Sequence, residues 1–255
     1  MYQKTDYIAV FDSGVGGISV LRQLRKLMPE ENYIYYGDSA NAPYGSRTTE
    51  EVRALTLAAA EKLTTEYPVK ALVIACNTAT AAAIEELRAK YSDLIVIGIE
   101  PAVKLAADHF PGGHLGVMAT EVTLREEKFD LLVHRFDGNC EISKIPAPGL
   151  VQLIEAGKSD TQETDDFLAN LLKPYVGKLD ALGLGCTHYP FVSRRISKVL
   201  GPETMLLHGG KGTARETKRR LEQAGLLHCG QGQIQIISSD PDPAVTALAW
   251  KLLNG

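Results

Sequence analysis

Two cysteines occupy matching places in this sequence. Cys76 follows the apolar run 71–75 and Cys186 follows the apolar run 181–185, and small polar residues come directly after each. Each run is typical of a buried strand and precedes a helical pattern, so we expect each thiol at the carboxyl end of a strand and near the amino end of a helix. Open α/β sheets bind ligands at that edge, and the unpaired N–H groups of a helix favour a thiolate. Two such thiols in two similar half-chains suggest one substrate held between two acid/base groups.

Asp12 ends the first strand-like run and opens the segment Asp-Ser-Gly-Val-Gly-Gly, residues 12–17. The third glycine is misplaced for a dinucleotide fingerprint, and the segment does not match the phosphate loop that ends in Gly-Lys-Ser/Thr. Two interpretations stay open. Either Asp12 caps the helix predicted over 14–27, or its carboxylate points toward a bound substrate.

The residues after the two cysteines also allow two interpretations. Asn77-Thr78 and Thr187-His188 suit helix caps, or they supply donors for a substrate carboxylate at two helix amino ends. His188 is two residues from a candidate thiol and could tune or relay its proton. The segment 41–45, Asn-Ala-Pro-Tyr-Gly, is either a plain rigid loop or a lid that contacts substrate.

The composition excludes several classes of protein. The chain has 255 residues, 45% hydrophobic and 23% charged, with a net charge of −4 and no long basic run, which argues against a nucleic-acid partner. No stretch approaches the roughly 20 apolar residues of a membrane helix, and no signal peptide is evident, so we expect a cytoplasmic protein. The four cysteines are widely spaced without a CxxC pair, which disfavours a metal site or a disulfide framework.

Strand and helix patterns alternate along the chain, which predicts an α/β fold with mostly parallel sheets. Residues 114–121 align with residues 7–14 at an offset of 107, and Cys186 follows Cys76 by 110, which suggests duplication of one unit. We therefore predict one domain over residues 1–98 plus 208–255 and a second over 99–207. Matched strand ends would then face each other across a cleft that holds the active site.

The residues together resemble the glutamate racemases of the aspartate/glutamate racemase superfamily, over nearly the whole chain. The matching segments are residues 11–17, 36–38, 43–45, 75–79, 148–157 and 185–190. The histidine after the second cysteine points to glutamate, because aspartate racemases tend to carry an acidic residue there. One departure is His208-Gly209, where the family usually has Asp-Ser.

The resemblance implies two pseudo-symmetric, flavodoxin-like α/β domains, often in a homodimer. It implies interconversion of L- and D-glutamate without a cofactor or metal, supplying D-glutamate for peptidoglycan, cell-wall biogenesis and cell shape. The family's catalytic cysteines correspond to Cys76 and Cys186, and its assisting groups to Asp12 and His188. Its substrate contacts correspond to Asp12, Ser13, Tyr44, Gly45, Asn77, Thr78, Thr187 and His188.

Other functions are compatible with the same residues. Relatives could racemise aspartate or another amino acid, or decarboxylate a malonate, although a decarboxylase needs only one proton donor. A two-lobed binding protein would need no thiols at its cleft. A dithiol redox protein would need cysteines close enough to bridge, with Cα atoms within about 7 Å.

Overall fold

The computed structural model describes residues 2–99, 102–125, 127–134 and 140–255. Its strands are β1 (Tyr7–Asp12), β2 (Tyr33–Gly37), β3 (Val69–Ile74), β4 (Ile95–Gly98), β5 (His114–Ala119), β6 (Glu141–Pro146), β7 (Ala181–Leu184), β8 (Met205–His208) and β9 (Ile234–Ser238). Its helices are α1 (Ile18–Leu27), α2 (Thr49–Glu66), α3 (Asn77–Lys90), α4 (Val103–His109), α5 (Glu121–Arg125), α6 (Glu127–His134), α7 (Leu150–Glu155), α8 (Gln162–Leu172), α9 (Ser193–Leu200), α10 (Gly210–Gln223) and α11 (Pro243–Asn254). The predicted α/β class is confirmed.

The strands form two sheets in which the paired strands run parallel. One sheet has the order β4-β3-β1-β2-β9 and the other the order β6-β5-β7-β8. Every residue of β3 is buried, as expected for a strand covered by helices on both faces. The carboxyl ends of neighbouring parallel strands meet at one edge of each sheet, so polar residues that follow different strands are brought together there.

The two sheets share one topology. Each places its strands in the spatial order fourth, third, first, second, and β9 extends only the first sheet. One backbone hydrogen bond occurs at equivalent places in the two sheets. Ala75 N–H donates to Phe11 O at 2.8 Å in the first, and Gly185 N–H donates to Met118 O at 2.8 Å in the second. Cys76 and Cys186 therefore follow equivalent residues of equivalent strands, which supports the duplication predicted from the sequence.

Contacts divide the chain into two compact units. One contains Met1–Glu100 with Gly210–Gly255, and the other contains Pro101–Gly209. In the first unit, β9 pairs with β2 and α10 packs on α1, so the end of the chain completes the sheet with which the chain begins.

The helix predicted over 14–27 begins later, at Ile18. Residues 13–17 form turns instead, because Gly14 N–H donates to the Asp12 side chain and Ile18 N–H donates back to Val15 O at 3.2 Å. These turns separate the end of β1 at Asp12 from the start of α1 at Ile18. Across the described residues, no helix combines the length and the apolar character needed to cross a membrane.

Candidate active site

Cys76 lies two residues beyond β3 and forms the N-cap of α3. Its backbone is extended and its sulfur accepts a hydrogen bond from Ala79 N–H at 3.4 Å, so the thiol takes the place of the usual cap oxygen. Ser13 Oγ lies 3.6 Å from the same sulfur, within hydrogen-bond range for sulfur. Cys76 is only 5% exposed. The helix amino end and the Ala79 N–H favour a negative sulfur, to which the Ser13 hydroxyl can also donate.

Asp12 ends β1 with a fully buried side chain. Its Oδ1 accepts from Gly14 N–H at 3.1 Å, whereas the N-cap of α1 is Gly17. A Cβ added to Gly17 would lie 2.5 Å from Asp12 Cβ, so this position must be glycine for the carboxylate to fit. The interpretation of Asp12 as a helix cap is therefore wrong, and the carboxylate orders the turn after β1.

The loop between β2 and α2 is held by a buried carboxylate. Tyr44 Oη donates to Asp38 Oδ2 at 2.7 Å, and Asn41 Nδ2 lies 3.1 Å from each oxygen of the same carboxylate. Burial, the hydrogen bond and charge of Asp38, and then the charges of Cys76 and Asp12 all raise the pKa of Tyr44. Tyr44 thus shares the electrostatic surroundings of the candidate thiol, and Gly45 continues the same short 3-10 turn, Tyr44–Ser46.

Asn77 and Thr78 are the first residues of α3, 8% and 5% exposed. The first N–H groups of a helix have no partner inside the helix, so this turn offers donors to an anion. The first unit thus collects seven of the predicted site residues at or near the carboxyl edge of its sheet: Asp12, Ser13, Tyr44, Gly45, Cys76, Asn77 and Thr78.

Cys186 lies two residues beyond β7 and contacts an imidazole. His188 Nδ1 lies 3.5 Å from Cys186 Sγ, and His188 Nε2 lies 2.5 Å from Glu155 Oε1 at the end of α7. Burial disfavours the charged imidazole, but the hydrogen bonds and charges of Cys186 and Glu155 outweigh it and hold the pKa of His188 well above its ordinary value. The charged ring then donates from both nitrogens, one to the sulfur and one to the carboxylate.

The expectation that Cys186 lies near the amino end of an α-helix is wrong. The chain instead forms a 3-10 turn over Tyr189–Val192, and α9 begins only at Ser193. Pro190 lies in the first turn of this 3-10 segment, where its missing N–H is tolerated. The positive charge beside Cys186 therefore comes from His188. Beside Cys76, the amino end of α3 provides the corresponding positive field.

Two further residues of the second unit lie near this thiol in the chain or in the sheet. Thr187, between Cys186 and His188, is 4% exposed. His208, which departs from the family's pattern, ends β8 and pairs with Leu184 of β7, so it lies at the same edge of the sheet as Cys186. The second unit thus collects Cys186, Thr187 and His188 of the predicted set.

Glu155 and Asp38 are carboxylates that contact predicted site residues and that sequence reasoning gave no role. Glu155 is separated from His188 by 33 positions, so only the fold brings them together. The sole signal in the sequence was that the segment 148–157 resembles the family. Asp38 lies in the segment 36–38, which also resembles the family, but the resemblance gave it no role of its own.

No group of three or more His, Cys, Asp or Glu side chains suited to a metal occurs among the residues that the structure describes. Each unit instead presents one buried thiol beside groups that can bind or deliver a proton. Such an arrangement suits acid/base chemistry at carbon.

Comparison with known proteins agrees with this chemistry. The family described as Asp/Glu/Hydantoin racemase matches residues 18–217. A glutamate racemase of Clostridium botulinum is 45% identical over 100% of this chain and 99% of its own length. The chain belongs to the glutamate racemase family. As a racemase, it is an isomerase.

Solved structures of glutamate racemases have the same fold. Isoform RacE1 from Bacillus anthracis superposes with a TM-score of 0.89 at 31% identity, covering 99% of this chain and 96% of that one. The Escherichia coli glutamate racemase, solved with L-glutamate and the activator UDP-MurNAc-ala, superposes with a TM-score of 0.84 at 30% identity over 97% of this chain and 92% of that one. The two-domain racemase fold is thus common to this chain and its relatives.

Proposed function

We propose that this chain interconverts L- and D-glutamate without a cofactor, and that Cys76 and Cys186 both act on one substrate molecule. The observation that carries the proposal is the equivalent placement of the two thiols, each two residues beyond the third strand of a duplicated sheet. The choice of glutamate is supported by the names of the relatives and by the L-glutamate bound to the Escherichia coli enzyme.

Racemisation requires removal of the α-proton from one face and delivery of another proton to the opposite face. In the proposed reaction, one sulfur enters as thiolate and takes the α-proton, while the other enters as thiol and donates its own. After one turnover the two sulfurs have exchanged protonation states. Each thiol therefore serves as base in one direction and as acid in the other.

The assisting groups differ between the two thiols. Asp12 is proposed to assist proton movement at Cys76, and His188 at Cys186, where the contact of 3.5 Å between imidazole and sulfur is already formed. Negative charge that develops on the substrate carboxylate would be stabilised by donors from Asn77, Thr78 and Thr187. Ser13, Tyr44 and Gly45 are proposed to complete the substrate contacts. The predicted cleft between the two thiols stays a prediction.

Exchange with solvent tests the assignment of the two thiols. In D₂O, product formed from unlabelled glutamate should carry deuterium at the α-carbon, because the donated proton comes from a thiol equilibrated with solvent. Cys76→Ser and Cys186→Ser should each lower racemisation by roughly 100-fold or more, because each removes one acid/base group. Each should retain slow exchange of the α-proton with only one enantiomer, and the two variants should favour opposite enantiomers.

Two results would reject the two-thiol assignment. One is wild-type racemisation in both directions by either serine variant. The other is product that retains its original hydrogen, which indicates one shielded base. The supply of D-glutamate for peptidoglycan in the cytoplasm is part of the proposal and is tested by whether the gene rescues a bacterium that requires D-glutamate.

A further inference from the structure

Two tyrosines of β2 tie that strand to the two ends of the segment that carries α1. Tyr33 Oη donates to Met28 O at 2.8 Å, and Met28 is the C-cap of α1. Tyr35 Oη donates to Gly14 O at 2.5 Å, in the turns that precede α1. Both tyrosine side chains are fully buried. The two hydroxyls make the same kind of bond, but the bond of Tyr35 ends at the turn that adjoins the candidate active site.

The turn that Tyr35 holds carries Ser13, whose Oγ lies 3.6 Å from Cys76 Sγ. Gly14 is anchored on both sides of its Cα, because its N–H donates to Asp12 Oδ1 at 3.1 Å and its carbonyl accepts from Tyr35. Hydrogen bonds of this kind fix the geometry of groups that contact a reacting atom. Ser13 directly precedes Gly14, so the place of its hydroxyl depends on both anchors.

The turn also packs closely on the end of β2. A Cβ added to Gly37 would lie 2.7 Å from Gly14 O, and a Cβ added to Gly17 would lie 3.0 Å from Tyr35 Oη. Contacts this short leave no room for a side chain unless the turn or the hydroxyl moves. Glycine at these two positions therefore lets the carbonyl and the hydroxyl come close enough to bond.

We propose that Tyr35 is a positioning residue for Cys76, because its bond to the Gly14 carbonyl keeps the Ser13 hydroxyl within reach of the sulfur. The inference rests on the proposed function, in which Cys76 is thiolate in one direction of the reaction and thiol in the other. A thiolate attracts an O–H donor more strongly than a thiol does, so a hydroxyl held beside the sulfur stabilises the charged form. Tyr35 acts through the backbone and exchanges no proton.

Ionisable groups from two other segments act on the same site. Burial, the hydrogen bond and charge of Asp38, and then the charges of Cys76 and Asp12 raise the pKa of Tyr44. Asp12 ends β1, whereas Asp38 and Tyr44 belong to the loop after β2. Tyr35→Phe removes a neutral hydroxyl and keeps every one of these groups. A change at the thiol therefore reports on the turn and not on a lost charge.

The test is Tyr35→Phe, read first by titration of the thiol. In a background with Cys140→Ser, Cys186→Ser and Cys229→Ser, Cys76 is the only thiol, and its thiolate is followed by ultraviolet absorbance against pH. Each variant is compared with the same variant carrying Cys76→Ser, which cancels the absorbance of the tyrosines. Tyr35→Phe should move thiolate formation upward by roughly half a pH unit, because the hydrogen bond to the sulfur is weakened.

Activity should change in the same direction. In the chain with all four cysteines, Tyr35→Phe should lower kcat/KM for glutamate roughly fivefold, because the thiolate loses part of its support.

The matched control is Tyr33→Phe. It removes an equally buried hydroxyl from the same strand, and that hydroxyl also donates to a backbone carbonyl. Both substitutions should lower the midpoint of urea unfolding by similar amounts. Tyr33→Phe should leave the titration of Cys76 and kcat/KM unchanged, because its bond ends at the far end of α1.

A second variant shows whether Tyr35 acts through Ser13. Ser13→Ala removes the hydroxyl that the turn presents to the sulfur and should itself move thiolate formation upward. In the Ser13→Ala background, Tyr35→Phe should cause no further shift, because two changes that act through one contact are not additive.

A titration of Cys76 that Tyr35→Phe leaves unchanged, or that Tyr33→Phe shifts equally, overturns the inference. So does a shift that persists in full in the Ser13→Ala background. The titration needs no turnover, so its result does not depend on the identity of the substrate. If the wild-type chain failed to racemise glutamate while the shift appeared and depended on Ser13, the proposed function would fail and the positioning role of Tyr35 would stand.

Discussion

At the scale of single residues, the two thiols differ in the charges beside them. Cys76 contacts the neutral groups Ser13 Oγ and Ala79 N–H, and its charge and that of the buried Asp12 both act on Tyr44. Cys186 contacts His188, whose pKa is raised. A cation stabilises a thiolate and a carboxylate opposes it, so the two halves of the reaction are expected to differ in pH dependence.

The contact between His188 and Glu155 predicts a pH dependence of stability. The pKa of His188 in the folded protein lies well above 6.5, its ordinary value. Its contribution to stability is therefore complete below about pH 6.5 and is lost as the pH rises through the folded pKa. The difference in free energy of unfolding between wild type and His188→Asn should shrink over that range.

Glu155→Gln provides the matched variant, because the amide keeps the shape of the side chain and removes its charge. It should lower the pKa of His188, measured by NMR of the imidazole ring against pH. An unchanged imidazole titration would show that Glu155 does not support the charge on His188.

Several of these residues could be predicted from the sequence and others could not. Cys76, Cys186 and Asp12 end apolar runs, and a polar residue at that place in a parallel sheet lies at the ligand-binding edge. Glu155 gives no such signal, because its partner lies 33 positions away.

At the scale of elements, α3 joins the chemistry of Cys76 to the stability of the fold. The sulfur caps the helix through Ala79 N–H at 3.4 Å. Cys76→Ser keeps a cap and should unfold within about 1 kcal/mol of wild type, whereas Cys76→Ala should lose about 1 kcal/mol more than the serine variant. Urea denaturation measures both values.

Activity should not follow this difference in stability. Both Cys76 variants should be equally poor racemases, because both lack the thiol. Activity that rose with stability across the two variants would indicate that Cys76 serves the fold and not the proton transfer.

The start of a helix could be predicted where neighbouring residues carry a known capping pattern. The sequence Thr48-Thr-Glu-Glu51 predicts a capping box, and Thr48 and Glu51 form it at the start of α2. The start of α1 and the region after Cys186 were predicted less well. In both places another segment comes first: turns at the glycines of 14–17 in one case and the 3-10 turn Tyr189–Val192 in the other.

At the scale of the whole molecule, a buried ion pair joins distant parts of the chain within the first unit. Lys70 Nζ donates to Glu31 Oε2 at 2.5 Å, to Lys4 O and to Leu226 O, while Glu31 Oε1 accepts from His228 N–H. Both side chains of the pair are almost completely buried. The cluster therefore ties the start of the chain and the segment after α10 to the sheet.

This cluster predicts a large and specific loss of stability. Lys70→Met should cost about 3–5 kcal/mol, because it leaves the Glu31 carboxylate buried without its partner. Lys70→Met combined with Glu31→Gln should recover part of that loss. The surface pair of Lys62 and Glu66 is the control, and Lys62→Met should cost at most about 1 kcal/mol. Equal losses for the buried and the surface lysine, measured by urea unfolding, would contradict this account.

For the whole fold, the sequence predicted the duplication of one unit but not which strand β9 pairs with. The offsets of 107 and 110 residues predicted a duplication, and the shared order of the two sheets supports it. The pairing of β9 with β2 could not be read from periodicity, because a short apolar run does not indicate which strand it will join. The homodimer implied by the family resemblance stays a prediction.

The most direct test of the central claim is the circular-dichroism signal of L-glutamate over time, with purified, EDTA-treated protein and no pyridoxal phosphate. Racemisation should bring the signal to zero, with the same end point from D-glutamate. A flat trace with both enantiomers and fully reduced protein would contradict glutamate racemisation. Other amino acids, beginning with aspartate, would then be the substrates to examine.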